Sequence, residues 1–370
     1  MRGMGKATII GALGALTLAG CYEGMAQPGD SEERGLIIQG IQLQGVFLQG
    51  IQLQGTKLQG MRLQGISLQG IKIQGVVLQG LKIQGVTLQG ITLQGMKLQG
   101  TQLIDGETVE RSGTDFIGSS FDLTVDGQDE NANTVEVPLT LHIEDIYPSP
   151  DAETDDVLAY EISYSVDGSD ELTPLCVDEY GTSWPAYVFE GYWDPETGDH
   201  IDEPDTISFS CHFGVVAKCA LWGYRPWAES TDCDNKWSGK KKKGKHCKTV
   251  SLRDHHQACT RMARADYCGN GEPWTVNGTA IDIWDNLDPE IQVREANWDI
   301  EAEWTPDGAW CLNDIRQQGW KAEGLYPACG DSVKDQKRWK KRMARRSNKC
   351  GTLKNDDSLL VSSFDGDAWE

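Results

Sequence analysis

Leu36-Ile-Ile-Gln-Gly40, Ile41-Gln-Leu-Gln-Gly45 and Val46-Phe-Leu-Gln-Gly50 open a run in which one five-residue unit, apolar-x-Leu/Ile-Gln-Gly, repeats thirteen times without a gap up to Gly100. A fixed internal period marks an architecture in which no unit buries its own apolar face, so that each must stack on its copies. In a unit such as Ile51-Gln-Leu-Gln-Gly55 the two apolar residues lie two apart, so on extended backbone they share one side while Gln52 faces the other. The Gly that closes each unit carries no Cβ and lets the chain turn a corner before the next short strand. The reading is strand, corner, strand, corner.

This pattern resembles the pentapeptide-repeat family, whose right-handed quadrilateral β-solenoid uses four units per coil, and the resemblance covers residues 36–103. It implies columns of outward residues twenty apart, such as Ile37, Lys57, Val77 and Lys97, with stacked Gln amides bonding along the axis. Thirteen units make about three coils at roughly 4.8 Å each, a stub suited to a spacer. Ile, Val, Met and Leu stand where that family carries a small residue, so the coil would be wider or less square. The outward charges Lys57, Arg62, Lys72, Lys82 and Lys97 are all positive, which sets aside the DNA mimicry that acidic columns support in some members.

Residues 1–21 read as a lipoprotein signal peptide. Arg2 and Lys6 precede an apolar run from Ala7 to Ala19 that is too short to span a bilayer, which needs about 20 residues. Its close, Leu18-Ala-Gly-Cys21, resembles the bacterial lipobox, which implies cleavage before Cys21 and a lipid on that thiol. Tyr22 stands in place of the Asp that retains lipoproteins in the inner membrane, so the resemblance implies the outer membrane, on its periplasmic or surface-exposed face. Residues 22–34, with Pro28, Gly29 and several acids, form a polar tether.

Beyond the repeat the composition changes. From Asp105 to Asp205 acids are dense and Arg111 is the single base, in a chain of net charge −22. Period-two runs at Phe121–Val125, Val135–Leu141 and Tyr160–Val166, with Asp-Gly at 126–127 and 167–168 as turns, predict antiparallel strands of a half-exposed sheet. The acid clusters at 126–133 and 194–202 offer Ca²⁺-type oxygens, but neither has EF-hand spacing; solvated hairpin tips are the expectation, and no cofactor is assigned.

Cysteine usage sets the class of the rest. Besides Cys21 there are ten, Cys176, Cys211, Cys219, Cys233, Cys247, Cys259, Cys268, Cys311, Cys329 and Cys350, an even number with no CxxC spacing. In an exported chain that is a disulfide framework. Its connectivity stays open except for Cys233 with Cys247, which bracket one loop, 234–246, whose like charges do not pack unaided. Gly239-Lys-Lys-Lys-Lys-Gly-Lys245 within it matches part of a P-loop, but His246 stands where Ser or Thr must hold Mg²⁺ and no strand precedes it, so nucleotide binding is excluded. A second basic run, Lys334 to Lys349 around Trp339, predicts a helix with an exposed cationic face. Solvation within the chain competes there with an anionic polysaccharide, lipopolysaccharide or nucleic acid as partner, and no specific nucleic-acid site is assigned.

A helix is predicted over Leu252 to Tyr267, started by Ser251 and Asp254, carrying Ala258, Met262 and Ala265 at core spacing and stopped by Gly269. Here Arg264-Ala-Asp-Tyr-Cys268, together with Gly223-Tyr-Arg-Pro-Trp227, Lys218-Cys219 and Glu301-Ala-Glu-Trp304, resembles the ADYC domain family over roughly residues 110–350. The lysine loop looks like an insertion relative to that family, and the resemblance implies no activity. GxSxG, HExxH and GxGxxG are absent. His255 and His256 diverge by about 100° on a helix and so do not form one metal-ligand pair. Asp266 with Arg261 or Arg264 reads as a structural ion pair before a general acid/base site.

The reading is a mainly β chain: right-handed quadrilateral β-solenoid over 36–103, a disulfide-stapled, β-dominated α+β domain over 105–350, and an acidic tail over 351–370. The expected function is that of an outer-membrane-anchored lipoprotein with a structural, adhesive or binding role, held by lipid through Cys21 and meeting an anionic polysaccharide or an envelope protein. No catalytic or metal residue is assigned. The rival is a carbohydrate-active hydrolase whose cleft pairs carboxylates with Trp184, Trp193, Trp222, Trp227 and Trp274. Anchoring has a direct test: Cys21→Ser should leave an uncleaved or soluble precursor, and its persistence in salt-washed outer membranes would overturn the lipobox reading.

Overall fold

This computed structural model describes, within the repeat, residues 37–43, 46–53, 56–57, 71–73 and 82–83, and then 86–365 apart from 130–133, 167–170, 179, 195–196, 203–206, 235–245, 276–278 and 354–356. Among these residues the protein is mainly β, with a few helices and five disulfides.

From Val86 the repeat is continuous, and it does not turn at each Gly. Val86–Gln94 and Lys97–Ile104 are the two strands of an antiparallel hairpin whose turn falls at Gly95 and Met96, while the strands run through Gly90 and Gly100. The reason is parity. Five is odd and a strand alternates every two residues, so an unbroken strand throws the apolar pair of each successive unit to the opposite face. Val86–Gln94 absorbs the odd residue in a bulge between Gln89 and Thr92. Lys97–Ile104 keeps an unbroken register against Glu107–Ser112 and flips instead: Leu98 is buried, whereas beyond Gly100 it is Gln102 that is buried, at 3% exposure, and Leu103 is 54% exposed. The buried amide is satisfied, since Gln102 Oε1 accepts from the Arg111 guanidinium at 2.9 and 3.1 Å. A coil corner is therefore replaced by a hairpin over these units. Upstream pieces pair antiparallel too, as Ile37–Leu43 does with Val46–Leu53, and no solenoid coil is present among the described residues.

The acidic segment continues the same antiparallel sheet: Ser119–Asp129 pairs with Thr134–Pro148, then Leu158–Val166, Ala186–Glu190 and Ile207–Cys211. Leu139, Leu141 and Ile143 are buried in alternation, and a register shift between Ile143 and Asp145 restores Ile146 to the buried face. Asp126-Gly127, expected as a turn, lies inside a strand opposite Glu136 and Val135; the second expected turn, 167–168, lies outside the described residues. Ala186–Glu190 and Ile207–Cys211 are buried nearly throughout, as strands covered on both faces must be.

A second sheet takes the order Ile281–Asp285, Leu360–Phe364, Asp299–Thr305, Gly308–Leu312. Its second member corrects the sequence reading. The chain after Cys350 is not an acidic tail throughout, because Leu360–Phe364 is buried along its whole length and pairs on both sides. The apolar run Leu359-Leu-Val361 is short and flanked by acids, so composition hides it.

Four helices complete the domain: α1 (Val215–Leu221), α2 (Arg253–Arg264), α3 (Gln318–Ala322) and α4 (Val333–Arg346). Helix α2 is the centre of the core, with every residue from His255 to Arg264 buried, and Cys219–Cys259 ties it to α1. It ends earlier than its period suggests. Ala265 adopts φ 52°, and the Ala265 and Asp266 amides return to the Met262 and Arg261 carbonyls. Gly269 is not the stop; a Cβ there would lie 1.9 Å from the Asp307 carbonyl oxygen, so the residue is small because another backbone occupies its side-chain space. The remaining disulfides join Cys176–Cys211, Cys268–Cys329 and Cys311–Cys350, and Cys233–Cys247 closes the strands on either side of the basic loop. Since Cys219–Cys259 closes a separation of 40 residues, replacing both by Ala should cost about 4 kcal/mol in urea unfolding; a loss under about 1 kcal/mol would show that α1 and α2 are held by packing alone.

Candidate functional site

The residues around α2 form a buried polar frame. Arg261 donates to Asp266 Oδ2 at 2.6 Å, to the Pro306 carbonyl at 3.0 Å and to Asp199. Asp266, fully buried, also accepts from the amides of Asn270 (3.1 Å) and Gly271 (2.9 Å). Arg264 turns away to the Gly271 carbonyl, and burial pushes its guanidinium down to about 10. Asp266 is thus a structural anchor whose oxygens are already used. Asp199, from the 194–202 cluster, is drawn onto Arg261, and no group of three or more metal-type side chains occurs among the described residues.

A second frame lies beside the first. Tyr267 donates to Glu301 Oε1 (2.6 Å), and Arg316 grips both Glu301 oxygens at 2.8 and 2.9 Å. Ser362 donates to Glu301 Oε2 at 2.7 Å, and the Trp304 indole donates to Ser362 at 2.8 Å. Arg316 also reaches the Met262 carbonyl at 2.7 Å, so this group locks the end of α2 to the second sheet. Burial, and then the Glu301 carboxylate, raise the Tyr267 phenol well above its ordinary range. His256 donates to the Val216 carbonyl at 3.0 Å and is pushed down to about 3 by burial, while His255 bonds Asn286 Oδ1 at 2.9 Å. The two imidazoles diverge, as their spacing requires.

A cleft of about 550 Å³ opens at the first turn of α2. Five separate segments line it: the strand at Asp232, the stretch from Lys248 into α2 at Asp254 and His255, the hairpin at Asp307 and Trp310, α4 at Arg342 and Arg346, and the chain at Asp357 and Leu359. Lys248 pairs with Asp232 at 3.2 Å. Arg346 lies over the Trp310 ring at 4.6 Å and donates to its carbonyl at 2.9 Å. Burial, and then repulsion from Arg342 one turn earlier, lower the Arg346 guanidinium, while attraction to Asp357 on the same wall opposes them. With Asp232, Asp254, Asp307 and Asp357 facing Lys248, Arg342 and Arg346, the cleft is mixed in charge.

The Trp groove expected for a hydrolase is not this cleft. Trp193 and Trp274 are core residues, the Trp193 indole donating to Gln257 at 2.9 Å. Trp222 and Trp227 are half-buried, Trp227 donating to Asp156 at 2.8 Å, and none of the five lines the cleft. Trp310, which does, has no distinguishing sequence signal; its placement depends on strand Gly308–Leu312 meeting α4.

The fold and these frames define a disulfide-stapled, mainly β domain organised around one buried polar helix. The family model described as the ADYC domain matches residues 113–318, and the chain belongs to the ADYC domain family. No curated protein and no solved structure matches it. Glu301→Gln should destabilise the domain by about 3–5 kcal/mol, because Arg316 is left charged and buried, whereas Glu301→Gln combined with Arg316→Met should recover most of that loss in chemical unfolding. Equal losses for the two variants would show that the frame is not an ion pair in energetic terms.

Proposed function

We propose that this protein is an outer-membrane lipoprotein that binds an anionic envelope polysaccharide through helix α4 and the cleft at its side. One observation carries the reading. Lys334, Lys337, Arg338, Lys340, Lys341, Arg342 and Arg345 are all exposed on α4, in a chain of net charge −22. Among the described residues only Arg338 of these is in an ion pair, with Asp335 at 3.4 Å. Trp339 and Met343, four apart, are the buried side that fixes the helix, so the cations are presented by a rigid element and not by a loop.

A polymer of carboxylates or phosphates satisfies several of these charges at once. The cleft carries Asp232, Asp254, Asp307 and Asp357 as well as Arg342 and Arg346, so its part is secondary to that of the helix face. The Leu18-Ala-Gly-Cys21 ending supports the lipid anchor and its signal peptide. The repeat serves as the spacer between anchor and domain. The spacer role holds whether the five-residue period folds as a pentapeptide-repeat coil or as the antiparallel hairpins described between Ile37 and Leu53 and between Val86 and Ile104.

The test is binding of soluble polygalacturonate to the mature chain at low ionic strength. Binding should weaken steeply as salt shortens the screening length to about 4 Å near 0.5 M, and Lys337→Glu, Lys340→Glu and Lys341→Glu together should lower affinity about tenfold or more. Undiminished binding by the triple variant would remove α4 from the interface.

A further inference from the structure

The loop from Cys176 to Trp184 is held more firmly than its exposed position requires. Asp178 accepts from the amides of Tyr180 (2.9 Å) and Thr182 (2.8 Å) on one oxygen and from the Trp184 indole N–H (2.9 Å) on the other. The Asp178 amide donates to the Thr182 carbonyl at 2.9 Å, and the Trp184 amide to the Cys176 carbonyl at 2.8 Å. Cys176–Cys211 then ties the base of the loop to strand Ile207–Cys211. These bonds hold Asp178, Thr182 and Trp184 together.

What it holds is an aromatic ring. Trp184 stacks on His212 with centroids 4.7 Å apart and planes 14° from parallel. The imidazole is itself fixed: its Nδ1 meets the buried Tyr187 hydroxyl at 3.2 Å, which meets Ser149 Oγ at 2.9 Å. Burial keeps His212 below its ordinary range, against the pull of Asp151. One face of the indole is covered by His212 and its N–H is taken by Asp178. Trp184 is nevertheless 37% exposed, and the surface it offers is the face turned away from His212. Tyr180, at the loop's tip, is 80% exposed. Asp151 Oδ2 lies 3.9 Å from His212 Nδ1 beneath the indole.

A flat apolar ring held in one orientation and left partly exposed matches a pyranose, which has one face of C–H groups. We propose that Trp184, oriented by Asp178 and backed by His212, is a stacking platform for a pyranose ring. An indole whose only task was to shield the disulfide would be turned inward, with its N–H satisfied from the core. This site is independent of α4 and recognises shape where α4 recognises charge.

Isothermal titration of the mature chain with cellohexaose, chitohexaose and laminarihexaose separates the two, since in about 0.5 M NaCl attraction to exposed charge is screened while stacking persists. At least one hexaose should bind at millimolar concentration or better, and Trp184→Ala should weaken it about tenfold or more. Trp184→Phe, which keeps a ring and preserves the test should the Ala variant unfold, should retain part of the affinity. Asp178→Ala, which frees the ring to rotate, should lose about threefold through the entropy of reordering it. The α4 triple variant should bind as the parent does. Failure of all three sugars to bind, or unchanged binding by Trp184→Ala and Trp184→Phe, overturns the proposal and leaves the reading of α4 untouched.

Discussion

The Glu301 carboxylate gripped by Arg316 at 2.8 and 2.9 Å is the constraint on which the domain depends. Both side chains are almost wholly buried, and moving two such charges out of water costs several kcal/mol each, which their attraction recovers only if the remaining hydrogen-bonding positions are filled. They are filled, by Tyr267 and Ser362 on the acid and by the Met262 carbonyl on the base. Those partners come from α2, the turn after it and the strand Leu360–Phe364, so the pair is complete only when helix and second sheet are in place together. Its contribution is to position: it forbids packings of the sheet on α2 that leave a charge unmatched.

The same logic explains why the most buried helix is so polar. Between His255 and Arg264 only Ala258, Cys259, Met262 and Ala263 are apolar, yet all ten residues are buried. A helix in that situation depends on partners outside it for its long polar side chains, although His255 Nδ1 and His256 Nδ1 are buried without one. His256 finds the Val216 carbonyl, Gln257 the Trp193 indole and the Gly198 carbonyl, and Arg261 the Asp199–Asp266 pair. The left-handed turn at Ala265 is what brings Asp266 back under Arg261, so a strained backbone position and a buried ion pair are one device.

Local periodicity was legible and non-local pairing was not. The spacing of Ala258 and Met262 located α2, and the density of Lys and Arg with Trp339 located α4, because an α-helix closes its hydrogen bonds within itself. The end of α2 was misplaced because Ala, unlike Gly, gives no sign of a positive φ. Strand Leu360–Phe364 was hidden because its partners lie as far back as Ile281, and four of the five disulfides were open because an even cysteine count does not fix which thiols meet. In the repeat the apolar spacing within a unit was read correctly as strand, but the corner at Gly was one of two ways to reconcile an odd unit with an even strand. Lys97–Ile104 shows the other, with Gln102 accepting burial and Arg111 satisfying it. For the site, the cations of α4 could be read directly, whereas a cleft assembled from five segments has no signature in any of them.

Net charge is a poor guide to what such a domain attracts. The acids concentrate between Asp105 and Asp205, where Arg111 is the single base, and the exposed bases concentrate on α4. A domain of this size has a radius of gyration of roughly 18 Å, while at physiological ionic strength the field of an exposed charge decays over about 8 Å. The two populations therefore do not cancel across the molecule: an approaching anion within a screening length of α4 meets the helix and not the total of −22. The negative sheet acts at the same range in the opposite sense. It disfavours an anion settling within a screening length of the acidic segment.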